Sequence, residues 1–600
     1  MSAVAPVAVA SRGMSRSAAL VVGLMLAQVT LFVWMAPRGF ELTDEAFYLL
    51  NYAHWRELSA MVSFFGAYFE LPFRAFGESV AAIRIFGLAL MLLVSAYCAV
   101  EALRFNCGDT VRGQSDQVAI IATAMAGALY YYSDLKTLRA PSYNMQALVA
   151  MLAATGLLFR LMRPAPTTTS TAATSLLYGV ALGACAMGKA SAALAMLVAH
   201  LVYFAGFERD WRVRRLLTIV LAVTAGVALN LVALYLMHPP WFMQLREGLT
   251  IMSLYGRNLL ALATNLRWDV KMVAIQTLPW LAPAAVAYLA ALRLGRGNAA
   301  ATSAATIVLI FAINLVLLWQ GQGHLWLPMM SFAALLLCAA TWVLYRRPQA
   351  TRQDLAPLAT TALLLALPLG FSFGTSGRML EHSQTAGAFG TIAIVIQLAT
   401  LRQRSLLSHP ALMLCLMALC LPTLTLQVRA ALDKDFTYRQ HTGLGAQRRP
   451  IQIGAAGNTL LVDDTSERSI RDLLDAAHQA GFKAGTPVLD FTGDGPGLVY
   501  ALGGRPVGLA WLLGGGPGGE AAAAHVVAQA PQEVLRRAWI LSSTNNPYAI
   551  KTWTRILDDR LGAASHVAVA DLGIPAWYRW KKGAPEINAV TLWRPNEASR

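Results

Sequence analysis

A helix crosses a bilayer core of about 30 Å in about 20 residues. Predominantly apolar runs of that order fill most of positions 1–428: 17–36, 80–102, 117–133, 143–162, 174–188, 190–207, 214–237, 271–293, 302–319, 325–345, 355–373, 384–401 and 409–427. They predict about thirteen membrane-spanning helices, with 174–207 either a pair or one long kinked helix. The first run is too long for a signal-peptide core and lacks a small-x-small cleavage site, so it reads as a retained anchor. After Gln427 the pattern changes. Short β-type runs (459–462, 487–489, 538–541) alternate with helical patterns (467–480, 549–561) in polar, Gly-rich sequence, predicting a soluble α/β domain over 429–600.

Composition agrees with that division. Of 600 residues 56% are hydrophobic and only 13% charged, about half the charge of a soluble chain. The formal charge of +16 would suit nucleic acid if it formed a basic face, but the charges are scattered between apolar runs. With the N-terminus in the cytoplasm, the inside connections carry 17 bases against six acids, and the opposite ones 12 against 10. The positive-inside rule therefore predicts N-in, C-out. The preference for Ala, and for Arg over Lys, suggests a high-GC bacterium, hence an inner membrane with a periplasmic C-terminal domain. Six cysteines form no CxxC pair and have no histidines at ligand spacing, so they read as small hydrophobes in packing positions.

The unusual acids fall in the outer loops. The first, 37–79, contains Glu41, Asp44 and Glu45, then Tyr48, Tyr52 and Trp55. Thr43 with two following acids is a helix start, and the aromatic residues beyond it predict a short interfacial helix. On local sequence alone Asp44 and Glu45 either cap that helix or face the head group of a lipid-borne substrate. Lys189, between two short apolar runs, is costly in a membrane, and such groups are functional candidates by default. The outer loop from Phe373 to Arg378, followed by Glu381 and His382, has the glycines and cation that a phosphate could use, although turn chemistry also explains them. The turn after 487–489, with Asp490, Gly493, Asp494 and Gly495, reads as an ordinary βα turn, and Asp463-Asp464 as a helix cap.

A first span followed by an outer loop opening Asp44-Glu45-Ala46-Phe47-Tyr48 resembles the C-type (GT-C) glycosyltransferases that use polyprenyl-phosphate sugars, particularly the protein O-mannosyltransferase and lipid A aminoarabinose transferase families (glycosyltransferase family 39-like). Leu182-Gly183 through Lys189 and the turn Lys136 to Asn144 are further points of similarity. The resemblance covers about positions 1–430 and implies a helical polytopic fold with about thirteen spans and an outer C-terminal domain. It implies Asp44 as general base, Glu45 as its companion and Lys189 near the carrier phosphate. Phe47 and Asn144 depart from the families' frequent Arg and Asp.

That chemistry needs cations for a departing phosphate and a base for an attacking hydroxyl on the opposite face, which inverts the anomeric centre. Candidate phosphate ligands are Lys189, Arg139, Arg257 and Arg378, with Arg246 a further outer cation; Asp134 is an alternative base. Tyr48, Tyr143, Asn144, Tyr255 and His382 are candidate substrate contacts. With no dense carboxylate cluster, no metal ion and no other cofactor is expected. The expected partners are a polyprenyl-phosphate sugar, a lipid, glycan or protein acceptor, and membrane lipids, with no nucleic acid. Two other classes compete. A transporter or flippase of lipid-linked glycans should show repeats and midplane charges, whereas the ionisable groups here gather at the outer boundary. A non-catalytic envelope assembly factor would tolerate Asp44→Asn.

Overall fold

The computed structural model describes residues 14–108, 114–132, 139–163, 167–208, 210–255, 259–295, 298–320, 325–344, 352–374, 379–493, 495–516, 518–562, 565–576 and 586–596. The membrane part consists of α1 (Arg16–Met35), α2 (Asp44–His54), α3 (Phe65–Ala75), α4 (Val80–Cys107), α5 (Gln114–Ala128), α6 (Tyr143–Leu161), α7 (Thr168–Phe207), α8 (Val213–Met237), α9 (Trp241–Leu254) and α10 (Leu259–Leu294). It continues with α11 (Ala299–Gln320), α12 (Trp326–Leu344), α13 (Arg352–Ser372), α14 (Met379–Ser383), α15 (Gly387–Gln403) and α16 (His409–Leu432). Among the described residues, 11 helical stretches are long and apolar enough to cross a membrane. The chain is a polytopic α-helical membrane protein.

Two of the predicted spans need a closer reading. The 40-residue α7 contains one non-helical residue, Lys189, at φ −153° and ψ 91°. Tyr178 and His200, equally far along the chain on either side of it, are hydrogen-bonded at 2.9 Å, whereas a straight helix would hold them about 33 Å apart. The chain therefore doubles back at Lys189, and α7 is the predicted pair of spans joined by one residue. The predicted span 117–133 appears as α5 plus a 3-10 turn, Leu129–Tyr132. It runs alongside α1: Ser15 N–H donates to Ser115 at one end, and Phe32 packs edge-on against Tyr132 at the other.

Small residues let neighbouring backbones approach. A Cβ on Gly179 would lie 2.2 Å from the Val223 carbonyl, and one on Gly226 2.2 Å from that of Leu176, which locks the first arm of α7 parallel to α8. At the centre, residues 383–401 are buried throughout. Five of the six cysteines are buried, Cys338 is half-buried, and all are free thiols.

The C-terminal part contains β1 (Arg449–Ile453), β2 (Asn458–Val462), β3 (Pro487–Asp490), β4 (Arg505–Pro506), β5 (Trp539–Ser543), β6 (His566–Pro575) and β7 (Ile587–Pro595). Its helices are α17 (Asp464–Gln479), α18 (Pro496–Ala501), α19 (Gly519–Gln529), α20 (Gln532–Arg537) and α21 (Trp553–Leu561). One sheet is ordered β4-β3-β5-β7-β6, parallel on the β4-β3-β5 side and antiparallel beyond it; β1 and β2 form a separate hairpin. Asp463 caps α17 by accepting from Thr465 and Ser466 N–H, both at 3.0 Å.

This domain is docked on the loops between α1 and α4. Leu461 exchanges backbone hydrogen bonds with Pro37 and Gly39, and Gly497 N–H donates to the Leu42 carbonyl at 2.7 Å. As a result α2 is not the surface-lying helix its aromatic residues suggested. Tyr48, Leu49, Leu50 and Tyr52 are buried between α3 below and the C-terminal domain above.

Candidate active site

The start of α2 is organised by Glu41. Its carboxylate accepts from Thr43 N–H at 3.0 Å, from Glu45 N–H at 2.9 Å and from the Thr43 hydroxyl. The cap that sequence offered to Asp44 and Glu45 is thus filled by a third acid. Burial pushes the Glu41 carboxyl up to about 7, reinforced by Asp44 and opposed by Arg439 and its hydrogen bond to Thr43.

Glu45 faces the bundle and forms a bidentate pair with Arg84 of α4, at 2.8 and 2.5 Å. Both side chains are sealed, at 0% and 2% exposure for Arg84 and Glu45. The remaining guanidinium donors go to the carbonyls of Ala36, Arg38 and Gly39, so all five N–H groups are used. Burial resists ionisation of Glu45, yet Arg84, with Arg139 beside it, holds the carboxyl below its ordinary range. Arg139 donates to the Met35 carbonyl at 2.5 Å and to that of Arg38. Glu45, Arg84 and Arg139 together clamp the turn leaving α1.

Asp44 is different. Its side chain is 25% exposed, and Oδ2 accepts from the Tyr438 hydroxyl at 2.6 Å and from Arg439 Nη1 at 2.7 Å. Oδ1 takes neither bond. One turn on, Tyr48 packs edge-on against Tyr143 with centroids 6.2 Å apart. Burial, with Asp44, Tyr143, Tyr131 and Tyr438 nearby, raises the Tyr48 hydroxyl well above its usual range, so it remains a proton donor.

Beyond Tyr143 lies a cationic group. The break at Lys189 frees carbonyls at the end of the first arm of α7. Phe64 N–H takes that of Met187 at 2.8 Å and Ser63 Oγ that of Gly188 at 2.8 Å. Lys189 Nζ sits 4.8 Å from the Phe371 ring centroid and is buried with no hydrogen-bond partner among the described residues. His382 stacks on the same ring at 5.3 Å and 6°, and its Nε2 lies 3.3 Å from Asn144 Oδ1. Three residues singled out separately from the sequence are therefore linked: Lys189 and His382 through the Phe371 ring, and Asn144 through His382.

Gln146 touches Gly188 beneath this group and donates to the Ala184 carbonyl at 2.7 Å. It also lines a groove of about 600 Å³ between α3, α4, α6 and the first arm of α7, whose walls reach Arg160 and Ser170. From Gln146 to Arg160 the α6 wall rises about 21 Å. Its lining is almost wholly apolar, and Leu177 on the wall is 55% exposed at the bundle surface.

Other candidates lie elsewhere. The Tyr255 hydroxyl donates to the Leu513 carbonyl at 3.3 Å, fastening α9 to the C-terminal domain. Arg246 is exposed beside Glu247. Arg257, Arg378, Asp134 and Asp494 lie outside the described residues. No group of three or more potential metal-ligating side chains occurs among the described residues. Sequence reasoning missed Glu41 as a cap, Arg84, Gln146, Phe371, Tyr438 and Arg439. Arg84, a charge inside an apolar run, carried a signal; the others did not.

Fold and site together define a polytopic membrane protein with a partly exposed carboxylate at the start of α2, a cation at the break in α7, and an α/β domain docked on the loops between α1 and α4. The chain is similar to ArnT from Cupriavidus metallidurans, solved bound to undecaprenyl phosphate, at TM-score 0.48 and 14% identity, covering 96% of this chain and 97% of that one. It is similar also to the mycobacterial arabinofuranosyltransferase AftD (TM-score 0.47, 13% identity, 98% of this chain and 40% of that one). A third is the Archaeoglobus fulgidus oligosaccharyltransferase AglB with an inhibitory peptide and a dolichol-phosphate (TM-score 0.44, 13% identity, 97% and 76%). No protein-family model and no curated protein matches the sequence.

Proposed function

We propose that this protein is an inverting glycosyltransferase that moves a monosaccharide from a polyprenyl-phosphate donor to a lipid, glycan or protein acceptor, at the periplasmic face of a bacterial inner membrane. The observation that carries the reading is Lys189: a buried ammonium without a hydrogen-bond partner among the described residues, at the broken tip of a helical hairpin. A phosphate monoester or diester is the anion that suits it, and an apolar tail suits the groove that starts at Gln146. His382, stacked on the same Phe371 ring, and Asn144 beside it add donors.

In the proposed reaction the acceptor hydroxyl attacks the anomeric carbon while Asp44 Oδ1 takes its proton. The bond from that carbon to the phosphate oxygen breaks, its electron pair stays with the phosphate, and Lys189 offsets the charge that develops there. Attack and departure on opposite faces invert the anomeric centre. The periplasmic assignment rests on the segregation of bases among the connections.

The test is transfer of radiolabelled sugar from a panel of polyprenyl-phosphate hexoses and pentoses to native-membrane acceptors in reconstituted vesicles. Wild type should transfer from at least one donor; Asp44→Asn and Lys189→Ala should lose about 100-fold or more. Full activity in Asp44→Asn, or no transfer from any donor by wild type, overturns the reading.

A further inference from the structure

Asp44 is held by a segment from the far end of the membrane part. Tyr438 and Arg439 follow α16 and are 394 and 395 residues away in sequence, yet both donate to the same oxygen, Oδ2. The Arg439 guanidinium stacks over the Tyr438 ring at 4.5 Å, donates to Thr43 Oγ1 and lies 4.0 Å from Glu41. Arg439 adopts φ +51°, in the left-handed region that a non-glycine residue occupies only when its surroundings over-determine it.

The contacts are not those of a helix cap. Glu41 already accepts from Thr43 and Glu45 N–H, so α2 makes no use of the Asp44 carboxylate. Two donors on one oxygen fix the carboxylate plane and draw charge toward Oδ2, leaving Oδ1 with a set direction. The other ionisable groups around it are already engaged or neutral: Glu45 with Arg84, Glu41 in its cap, and Tyr48 as a buried hydroxyl.

We propose that Tyr438 and Arg439 are positioning residues that lock Asp44 through Oδ2, so that Oδ1 is the oxygen that takes the acceptor's proton. This rests on the transferase reading above. It gives the segment joining α16 to the C-terminal domain a part in the chemistry: undocking that segment would release the base.

The experiment uses full-length protein in vesicles with two readouts. One is the transfer rate against pH. The other is labelling of Asp44 by a water-soluble carbodiimide with glycine methyl ester, which needs the protonated carboxyl and no sugar donor, followed by mass spectrometry. Relative to wild type, Arg439→Gln should move the acid limb and the labelling midpoint up by about one pH unit or more, and Tyr438→Phe by less, because each removes a donor to the charged form. Arg439→Lys should restore most of the wild-type profile, and the KM for donor should stay within about twofold in Tyr438→Phe. An unmoved labelling midpoint in folded Tyr438→Phe and Arg439→Gln, or a rate lowered equally at every pH, overturns the proposal. If wild type transfers no sugar but the midpoints move, the transferase reading fails and the control of the carboxylate by this pair stands.

Discussion

Arg84 and Lys189 are both buried cations near the α2 face, and their surroundings are opposite. Every donor of Arg84 has a protein acceptor: two on Glu45 and three on the turn that leaves α1. Lys189 has an aromatic ring and no hydrogen-bond acceptor among the described residues. A desolvated charge is costly unless paired, so Arg84 holds structure, whereas in the proposed reaction a bound anion offsets the cost at Lys189. The adjacent carboxylates differ in another way: Glu45 is sealed with both oxygens on Arg84, whereas Asp44 is 25% exposed and engages Tyr438 and Arg439 through Oδ2 alone.

The contrast can be broken most directly at Arg84. Arg84→Met should leave Glu45 buried without its hydrogen-bonded partner and destabilise the protein by about 3–5 kcal/mol, read as a large fall in thermal midpoint in detergent. Adding Glu45→Gln to it should recover part of that loss. Lys189→Ala should behave in reverse: transfer falls by about 100- to 1000-fold, or 2.7–4 kcal/mol, while the thermal midpoint stays level or rises. A lower midpoint in Lys189→Ala would make the lysine a structural residue and erase the distinction.

A third measurement leaves the reaction aside. Polyprenyl phosphate at about 100 times its Kd should stabilise wild type by about 2.7 kcal/mol and leave Lys189→Ala unshifted. The smallest effect concerns Glu41, whose carboxyl is raised by burial from 4.5 to about 7. Between those pH values the folded state holds a proton that the unfolded state has released, so stability falls as pH rises through the window, by on the order of 1–3 kcal/mol. Glu41→Gln should flatten that slope in thermal unfolding followed across pH 4.5 to 7; an unchanged slope would move the titration to another group.

Asp44 and Lys189 were legible in the sequence because charge is scarce in a chain that is 13% charged, and each stands beside a membrane span. Glu45 was legible as an acid but not as the partner of Arg84, because that pair joins α2 to α4 and its role depends on which way one carboxylate turns. Asn144 and His382 could be noted separately, but only their mutual contact and the stacking of His382 on Phe371 join them to Lys189. In the C-terminal domain β3 and β5 followed from short apolar runs, whereas β6, with Asp571 and Gly573 inside it, did not. It is paired on β7 alone, and a strand at a sheet edge needs less apolar patterning.

By itself the sequence determined which stretches are long and apolar enough to cross a membrane, and the few positions where a charge must be accounted for. These follow from the transfer of about 20 consecutive side chains into hydrocarbon, a local sum that composition expresses directly. Only the tertiary structure decided which charges are neutralised and which are left to act. Arg439 reaches Asp44 across 395 residues and Arg84 reaches Glu45 across 39. Pairing depends on distance and direction in space, and no local sum along the chain contains them.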